Sequence, residues 1–573
     1  MKRDDVSIVL CGAAGQGIQT VEHILVRLLR RAGYHVFATK EYMSRIRGGS
    51  NSTQIRVSGR RVAAPSDRID ILLPFHDKAL RHLKSRIVPE TTIVGDRKNI
   101  CKDCPAEAMT FLDAPFAEIA DEVGGKIFIN IIAAGTLLGM LAVDFKLVRG
   151  FIRKYFANKG EPIIGKNLAA VERGYVIGKG ILESGQINIP TELTQSDDNI
   201  SKKEILVNGA EAVGLGALAG GCNFLSSYPM SPSTGIMVFL SQQAGNCDIV
   251  VEQAEDEIAA INMALGASYA GARAMVTTSG GGFALMTEGV SLAGMIETPV
   301  VIHLAQRPGP ATGLPTRTEQ GDLDLVLYAG HGEFPRIVFA PGSLEEAFFL
   351  THKAFHLADK FQVPVFILTD QYMMDTFYNV SPFDLKEVNA AKHIVRTVRD
   401  YKRFALTENG LSPRGIPGFG LGFVGVDSDE HDEESHITED LDLRTKMVDK
   451  RLKKLDSIKE DIIPPELIGA QGYHSLIIGW GSTLHAIKEA LRILSRDDVA
   501  FFHFKQVYPV HHETGAYLKK AARTILVENN ATSQFGRLIR LETGFAVDEK
   551  VLKYNGLAFT AEELVSRFKE MID

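Results

Sequence analysis

Two short segments of the sequence place hydroxyl and carboxyl groups where they could act on a bound ring. In residues 228–234, Ser231 lies between two prolines, and each proline fixes its own φ and restrains the residue before it. The second segment begins with Glu255, Asp256 and Glu257 and continues into a stretch rich in alanine and glycine. A rigid hydroxyl near a buried carboxylate suits a nitrogen heterocycle such as thiamin diphosphate. The same residues also fit a tight turn and a capped helix without any chemical role.

Two further segments suit contacts with a ligand. Residues 277–283 read Thr-Thr-Ser-Gly-Gly-Gly-Phe, and a cofactor can approach the backbone of Gly280 and Gly281 closely. Arg307 follows an apolar strand-like run, and ligands collect at strand ends in α/β folds. Its guanidinium could bind a carboxylate through two hydrogen bonds, or pair with a structural acid nearby. Thr316, on the same loop, is a further candidate for contact with a substrate.

In their order and spacing, these segments resemble the alpha subunits of 2-oxoacid:ferredoxin oxidoreductases. The resemblance is carried by residues 228–234, 277–283 and 306–316. It extends over nearly the whole chain, with a gamma-type domain fused in front of the alpha part. Among such fusions it is closest to the members that use 2-oxoglutarate. The sequence departs from the family at Ser231, where threonine is usual, and at Gly281, where proline is common.

The resemblance implies a role for one acid in the second segment. A carboxyl group there hydrogen-bonds N1′ of the aminopyrimidine of thiamin diphosphate and favours the imino tautomer, which removes the C2 proton of the thiazolium. The residues alone leave Glu255, Asp256 and Glu257 open for this role. Counting back from residues 278–280 in the family pattern selects Glu257. The other two acids would then favour a helix N-terminus through its dipole.

The resemblance also assigns residues to the substrate. It implies that Arg307 binds the carboxylate of a 2-oxoacid, that the Ser231 hydroxyl hydrogen-bonds the substrate, and that Thr316 is a further contact. Glu257, Arg307 and Ser231 are therefore the predicted catalytic residues. 2-Oxoglutarate carries a second carboxylate, for which Arg317 and a partner subunit are both candidates.

The turn at residues 12–17, Gly-Ala-Ala-Gly-Gln-Gly, is a second candidate ligand site. It is not the Gly-x-Gly-x-x-Gly fingerprint of dinucleotide sites. It resembles the glycine-rich turn of the family's gamma domain, with Ala14 in place of one glycine, and residues 45–50 resemble a second gamma motif. Glycine-rich backbone at a helix N-terminus binds phosphates, although a purely structural turn remains open. The candidates for contact with coenzyme A are Gly15, Gln16 and Gly17.

The chain lacks two features that the implied reaction requires. It contains no Gly-Asp-Gly, which holds the metal of thiamin diphosphate in this superfamily, and no cysteine-rich run for an iron–sulfur cluster. Cys101 and Cys104 are its only close cysteine pair, which is weak support for a metal or redox site. We therefore predict no metal site on this chain. The resemblance implies a beta subunit that carries Mg²⁺, the diphosphate site and a [4Fe-4S] cluster.

The composition is that of an ordinary globular protein. The 573 residues predict three or four domains, and the net charge of −7 gives no support for nucleic-acid binding. Residues 127–143 are uncharged, but their glycines, Thr136 and Asn130 favour a buried helix over a membrane span. Five cysteines and the lack of a signal-peptide pattern predict a cytoplasmic protein.

The pattern of apolar runs predicts an α/β fold with several doubly wound domains of the thiamin-diphosphate-enzyme type. A strand at 6–12, a helix and a strand at 34–38 form a predicted βαβ unit. The acidic loop around His431 is expected to be a solvated surface loop, with a metal site or an interface contact as alternatives. The predicted organisation is a gamma-type domain at 1–190, a linker at 191–203, a pyrimidine-binding domain at 204–385, a connecting segment at 386–465 and a transketolase C-terminal-like domain at 466–573.

The resemblance implies a reversible reaction. 2-Oxoglutarate and coenzyme A would give succinyl-CoA and CO2 with reduction of ferredoxin, and the reverse direction would fix CO2, as in the reductive TCA cycle. The expected assembly is a heterotetramer, a dimer of alpha–beta pairs. Two alternatives remain: a pyruvate or branched-chain 2-oxoacid:ferredoxin oxidoreductase subunit, and a non-catalytic assembly subunit.

Overall fold

The computed structural model divides the chain into two units. The first comprises Met1–Val207, Thr376–Pro382 and Thr560–Glu562, and the second comprises Asn208–Asp375, Phe383–Phe559 and Glu563–Asp573. The residues that the structure describes are 4–43, 49–100, 110–187, 203–386, 388 and 391–572. Cys101, Cys104 and most of the predicted linker and of the second gamma motif lie outside these residues.

An eight-stranded mixed sheet forms the centre of the first unit, in the order β6-β5-β4-β1-β3-β2-β14-β7. The predicted first strand, helix and second strand are all present. Strand β3 lies between β1 and β2 and runs antiparallel to both, so β1 and β2 are parallel, as a βαβ unit requires, but they are not adjacent in the sheet. The strands are β1 (Asp5–Gly12), β2 (His35–Glu41), β3 (Asn51–Ser58), β4 (Ile71–Pro74), β5 (Thr92–Gly95), β6 (Thr110–Asp113), β7 (Ile205–Asn208) and β14 (Phe377–Val380).

Close packing of two helices buries the apolar segment that had raised the question of a membrane span. The helices of this unit are α1 (Ile18–Arg31), α2 (Lys78–His82), α3 (Arg97–Ile100), α4 (Phe116–Val123), α5 (Ile129–Met140), α6 (Phe145–Tyr155) and α7 (Glu161–Glu183). A Cβ at Gly135 of α5 would lie 2.3 Å from the carbonyl oxygen of Val171, and one at Gly174 of α7 would lie 2.0 Å from that of Ile132. The glycines therefore let the two backbones meet.

None of the helices that the structure describes is by itself long and apolar enough to cross a membrane. Helix α4 and the segment Lys126–Met140 have the length and apolar composition of a membrane span only when taken together, and that pair is bent by 119°.

Two sheets form the second unit. The seven-stranded sheet has the order β18-β12-β13-β11-β10-β8-β9, and the five-stranded sheet has the order β15-β17-β16-β19-β20. Strand β18 follows β17 in the chain but pairs with β12, so it joins the two sheets. The strands are β8 (Phe224–Ser227), β9 (Val250–Gln253), β10 (Ala274–Thr278), β11 (Val300–Gln306), β12 (Ile337–Phe339), β13 (Pro364–Asp370), β15 (Glu466–Gly469), β16 (Ser475–Trp480), β17 (Val499–Phe504), β18 (Gln506–Tyr508), β19 (Arg523–Glu528) and β20 (Glu549–Leu552).

The helices that follow β7 alternate with these strands, as the α/β prediction requires. They are α8 (Gly209–Ala219), α9 (Thr234–Gln243), α10 (Glu257–Tyr269), α11 (Gly280–Phe283), α12 (Thr287–Met295), α13 (Leu323–Tyr328), α14 (Leu344–Phe361), α15 (Gln371–Asp375), α16 (Leu441–Glu460), α17 (Leu484–Leu494), α18 (Thr514–Lys520), α19 (Gln534–Thr543) and α20 (Ala561–Ile572).

Buried charges anchor helix α16 of the connecting segment. The carboxylate of Glu297 lies 2.5 Å from the Nζ atoms of both Lys450 and Lys454, and Arg403 donates to the Glu297 carbonyl at 2.7 Å. Burial would raise the pKa of Glu297, but the charges of Lys454 and Lys450 hold it well below its ordinary value. Burial lowers the pKa of Lys454 to about 7, although Glu297 opposes the shift. One carboxylate therefore faces three cationic side chains.

The acidic loop around His431 is not a solvated loop throughout, contrary to expectation. His431 is buried, and its ring centroid lies 4.0 Å from that of Phe404. Glu430 accepts hydrogen bonds from both terminal nitrogens of Arg451, at 3.1 and 2.9 Å. In the described part of the chain, no group of three or more His, Cys, Asp or Glu side chains could hold a metal ion. The loop therefore packs onto α16.

The charge imbalance in this cluster predicts unequal effects of two substitutions. Glu297→Gln leaves the buried cations without their carboxylate and should cost about 3–5 kcal/mol of stability. Lys454→Met leaves Glu297 paired with Lys450 and removes one excess cation, so it should cost less than about 2 kcal/mol. Calorimetric melting of the two variants measures the difference, and an equal or larger loss for Lys454→Met would contradict the assigned balance of charges.

Candidate active site

The candidate site lies at the carboxyl ends of two adjacent parallel strands in the second unit. Strand β10 ends at Thr278 and is followed by the glycine turn that begins α11, while β11 ends at Gln306 and is followed by Arg307. Thr278 pairs with Leu304 in the parallel register, so both ends open at the same edge of the sheet. This edge is where ligands bind in open α/β sheets.

Glu257 begins helix α10 and is only 3% exposed. Among the described groups, its Oε1 atom is buried and has no hydrogen-bond partner. A Cβ at Gly282 would lie 2.4 Å from this oxygen and 2.4 Å from Oγ1 of Thr278, so the carboxylate lies directly against the glycine turn. A buried polar oxygen without a partner is costly, and a ligand nitrogen that shares a proton with it would remove that cost.

The structure separates the three neighbouring acids that the sequence left open. The side chain of Asp256 accepts a hydrogen bond from the backbone N–H of Ala259 at 2.7 Å and caps α10. Glu255 is exposed. Of the three, only Glu257 is buried against the glycine turn.

Arg307 and Ser231 are brought together from separate strand ends. The Nη1 atom of Arg307 donates to the main-chain carbonyl of Ser231 at 2.7 Å, so the contact uses the carbonyl and not the hydroxyl. Burial lowers the pKa of Arg307, while the charge of Asp322 opposes that shift. The guanidinium is thus held at the mouth of the site, beside the turn that carries Ser231.

The loop after Arg307 runs beside the glycine turn. A Cβ at Gly281 would lie 3.6 Å from the carbonyl oxygen of Ala311, which itself has a left-handed backbone with φ of 53°. Thr316 is half-buried on this loop. The hydrogen bonds among the described residues do not join Thr316 to Arg307 or Ser231, so its role as a substrate contact stays a prediction.

Asp322 is a functional candidate that the sequence reasoning missed. A Cβ at Gly280 would lie 2.3 and 2.5 Å from its two carboxylate oxygens, and its backbone N–H donates to Oε1 of Gln306 at 3.0 Å. Its Oδ2 atom is buried without a hydrogen-bond partner among the described groups. Burial and then the charge of Glu319 raise the pKa of Asp322 to about 7, although Arg307 lowers it. The sequence signal was weak, because Asp322 is one of two acids on the loop that follows Arg307 and neither belongs to a motif.

Gln320 fixes the same loop to the domain of the five-stranded sheet. Its side-chain Nε2 donates to the carbonyl of Trp480 at 2.9 Å, and its Oε1 accepts from the N–H of Asn529 at 2.9 Å. Its backbone N–H donates to the Asn529 carbonyl at 2.7 Å, and its carbonyl accepts from Nδ2 of Asn530 at 3.1 Å. Gln320 is 1% exposed, so all four of its polar groups are buried and paired.

The N-terminal turn of the first unit uses one of its predicted ligand residues internally. Oε1 of Gln16 accepts the N–H of Ala13 at 2.7 Å, so the side chain of Gln16 stabilises the turn. Gly17 has φ of 73°, and a Cβ there would lie 2.0 Å from Nδ2 of Asn130. Gly15 is exposed, with no atom within 4 Å of the position of a Cβ. Of the three residues, Gly15 therefore offers the most accessible backbone.

Helix α10 presents one face to solvent beyond Glu257. Ile258, Asn262 and Gly266 follow one another at four-residue spacing, and all three are exposed. Ile258 is 48% and Met263 is 37% exposed, and a Cβ at Gly266 would meet open space. Exposed apolar residues on a helix with small side chains suit close packing by another chain.

Comparison with known proteins matches this architecture. A family model described as "Pyruvate flavodoxin/ferredoxin oxidoreductase, thiamine diP-bdg" matches residues 215–450, and one described as "Pyruvate ferredoxin/flavodoxin oxidoreductase" matches residues 7–177. The chain is 32% identical to the 2-oxoacid:ferredoxin oxidoreductase subunit alpha of Sulfolobus sp., over 98% of this chain and 96% of that protein. It is 29% identical to the 2-oxoglutarate oxidoreductase subunit KorA of Mycobacterium tuberculosis, over 98% of this chain and 90% of that one.

A solved structure is similar over the same length. The 2-oxoglutarate:ferredoxin oxidoreductase from Magnetococcus marinus, with 2-oxoglutarate, coenzyme A and succinyl-CoA bound, has a TM-score of 0.92 and 30% identity, and the match covers 100% of both chains. The recognised resemblance and the α/β fold class are therefore confirmed. The chain belongs to the alpha-subunit family of the 2-oxoacid:ferredoxin oxidoreductases.

Proposed function

We propose that this chain is the gamma–alpha subunit of a thiamin-diphosphate-dependent 2-oxoglutarate:ferredoxin oxidoreductase. The reaction converts 2-oxoglutarate and coenzyme A to succinyl-CoA and CO2 and passes two electrons to ferredoxin, and it is reversible. The observation that carries this proposal is the buried Oε1 of Glu257, which lies against the glycine turn and has no hydrogen-bond partner among the residues that the structure describes. The names of the relatives, and the ligands in the Magnetococcus marinus structure, support the choice of substrate and product.

The described residues fit the aminopyrimidine end of thiamin diphosphate. Glu257 would share a proton with N1′ of the ring, and the lack of side chains at residues 280–282 lets a flat ring approach the backbone. When bound, the cofactor supplies a nucleophilic carbon and an electron sink for decarboxylation of the 2-oxoacid. The task of Glu257 is to hold and return a proton at N1′, and positioned acids and bases of this kind accelerate reactions by roughly 10²–10⁴-fold.

Arg307 would bind the 1-carboxylate of the 2-oxoacid. Its hydrogen bond to the Ser231 carbonyl orients the guanidinium, and the remaining N–H groups can donate to a carboxylate in a bidentate arrangement. The hydroxyls of Ser231 and Thr316 are the proposed further contacts. For the second carboxylate of 2-oxoglutarate, Arg317 and a partner subunit both remain candidates.

A beta subunit would complete the site. We assign to it the Mg²⁺, the diphosphate-binding residues and the [4Fe-4S] cluster, because this sequence offers no Gly-Asp-Gly and no cysteine-rich run. The exposed face of α10, with Ile258 and Met263, is the proposed contact for another chain. In the first unit, the backbone at Gly15 is the proposed contact for coenzyme A, with Gln16 and Gly17 shaping the turn. A cytoplasmic dimer of alpha–beta pairs is the corresponding assembly.

The substrate assignment is tested by comparing 2-oxoacids. The chain, coexpressed with its beta subunit, should show kcat/KM for 2-oxoglutarate at least about tenfold above those for pyruvate and branched-chain 2-oxoacids, since one added ionic contact is worth more than 1.4 kcal/mol. Reduction of a viologen dye coupled to CoA-dependent decarboxylation measures these values. A higher kcat/KM for pyruvate would instead make pyruvate the assigned substrate. Pyruvate is the alternative because both matching family models bear the name of the pyruvate enzyme.

The role of Glu257 is tested by Glu257→Gln, which keeps the shape of the side chain and removes the acid. Turnover should fall by roughly 10²–10⁴-fold, while assembly with the beta subunit is retained. Glu255→Gln is the matched control, because Glu255 is an exposed acid two residues away, and it should leave turnover within about twofold. Near-normal turnover of Glu257→Gln would contradict the assignment and favour a non-catalytic subunit.

The Gln320 contacts predict that the five-stranded domain positions the substrate loop. Gln320→Met keeps the size of the side chain but leaves the Trp480 carbonyl and the Asn529 N–H without partners, at a cost of about 1–3 kcal/mol. We expect KM for the 2-oxoacid to rise about tenfold, with KM for coenzyme A changed less than about twofold. A lower melting temperature with both KM values unchanged would mean that the contacts stabilise the fold but do not position the loop.

A further inference from the structure

Asp322 occupies a position from which it can control Arg307. Its carboxylate lies against the backbone of Gly280, and its N–H is bound by Gln306, the residue that immediately precedes Arg307. The carboxylate is therefore fixed beside the strand end that carries the substrate arginine. One of its oxygens is buried without a partner, so no described hydrogen bond stabilises the ionised form at that atom.

Few charges act on this carboxyl group. Glu319, on the same loop, favours its protonated form, and Arg307, at the end of β11, favours its ionised form. The glycine turn of α11 and Gln306, which also contact Asp322, contribute no ionisable side chain, and Asp324 at the start of α13 is paired with Arg537 of α19. The protonation state of Asp322 is therefore determined by burial and by these two neighbours. Their combined effect raises its pKa to about 7, so both forms are accessible at neutral pH.

We propose that Asp322 is a proton-linked switch for substrate binding: protonated, it leaves the charge of Arg307 to the carboxylate of the 2-oxoacid, and ionised, it competes with that carboxylate. The proposal rests on the proposed role of Arg307 and adds a residue that acts through it without touching the substrate. The proton comes from solvent and returns to solvent, so the net reaction is unchanged.

Thermodynamic linkage predicts the direction in which pH changes the affinity for the 2-oxoacid. A substrate carboxylate at Arg307 adds a negative charge near Asp322 and neutralises the cation that favours its ionised form. Both effects favour protonation, so binding of the 2-oxoacid takes up a proton, and protonation of Asp322 strengthens binding by the same factor. Binding should therefore be tight below the pKa of Asp322 and weaken as pH rises through about 7.

The test is the pH dependence of KM in the assembled enzyme. In the unchanged enzyme, KM for the 2-oxoacid should rise about tenfold between pH 6 and pH 8.5, since charges several ångströms apart near a protein surface interact by a few kcal/mol at most. Asp322→Asn is isosteric and always neutral, so its KM should stay low and lose most of this rise. The effect should be on KM and not on kcat. The Ki of glutarate, a dicarboxylate that cannot be decarboxylated, should follow the same pH profile and report binding without chemistry.

Two further variants keep the proposal falsifiable if Asp322→Asn fails to assemble. Glu319→Gln removes the neighbouring negative charge, which lowers the pKa of Asp322, so the midpoint of the KM rise should move to lower pH. Asp324→Asn, at the start of helix α13 and paired with Arg537, is the control and should leave the midpoint in place. A KM profile of Asp322→Asn that follows the unchanged enzyme, or a midpoint that Glu319→Gln does not move, overturns the proposal.

Loss of activity by an assembled Asp322→Asn at every pH would also overturn it, because the carboxyl group itself would then be required. The result of this pH test does not depend on which 2-oxoacid is the substrate. Every 2-oxoacid carries the carboxylate that Arg307 would bind, so the pH series can be run with whichever 2-oxoacid the enzyme prefers.

Discussion

A buried carboxylate oxygen without a hydrogen-bond partner in the described part of the chain is the constraint on which the candidate site depends. Leaving such an atom unpaired costs on the order of 1–3 kcal/mol or more, and the fold holds Glu257 in that position from two sides. Asp256 caps α10 and fixes where the helix starts, while Gly282 leaves the space that a side chain would fill. The parallel ends of β10 and β11 then place Arg307 at the same edge. A site built at this cost is arranged for a ligand that shares a proton with the carboxylate.

Hydrogen bonds to the domain of the five-stranded sheet hold the loop that follows Arg307. The loop that follows β11 has little regular structure before α13, so its position comes from side-chain hydrogen bonds, above all those of Gln320 to the five-stranded domain. In the connecting segment, the Glu297 cluster anchors α16 next to the start of β11. The domain of the five-stranded sheet thus holds the loop that follows β11, and helix α16 holds the segment that precedes β11. Both contacts fix the strand that ends at the candidate site. These contacts give a structural role to a domain in which no catalytic residue was predicted.

Local patterns predicted the elements well, and long-range contacts explain the rest. The apolar runs predicted β1, α1, β2 and the strand before Arg307, because burial and periodicity are local properties of the sequence. The insertion of β3 between β1 and β2 was not predictable, since antiparallel pairing depends on register between distant residues. The loop at His431 was misjudged because one of its acids, Glu430, is paired with Arg451 of α16, which follows the loop in the chain. Asp322 and Gln320 carry no motif of their own, and only their surroundings distinguish them from ordinary loop residues.

Two unsatisfied carboxylate oxygens and an exposed apolar helix face lie on the same side of the candidate site. Among the described residues, Glu257 and Asp322 each hold a buried oxygen without a hydrogen-bond partner, on either side of one glycine turn. The helix that begins at Glu257 exposes Ile258 and Met263 one residue and six residues further on. In a chain that worked alone, selection of stability would pair such oxygens and cover such a face, because each lowers the free energy of unfolding. Both costs disappear together if a cofactor and another subunit close over this edge. Assembly and cofactor binding would then stabilise each other by mass action, since each one binds a surface that the other completes.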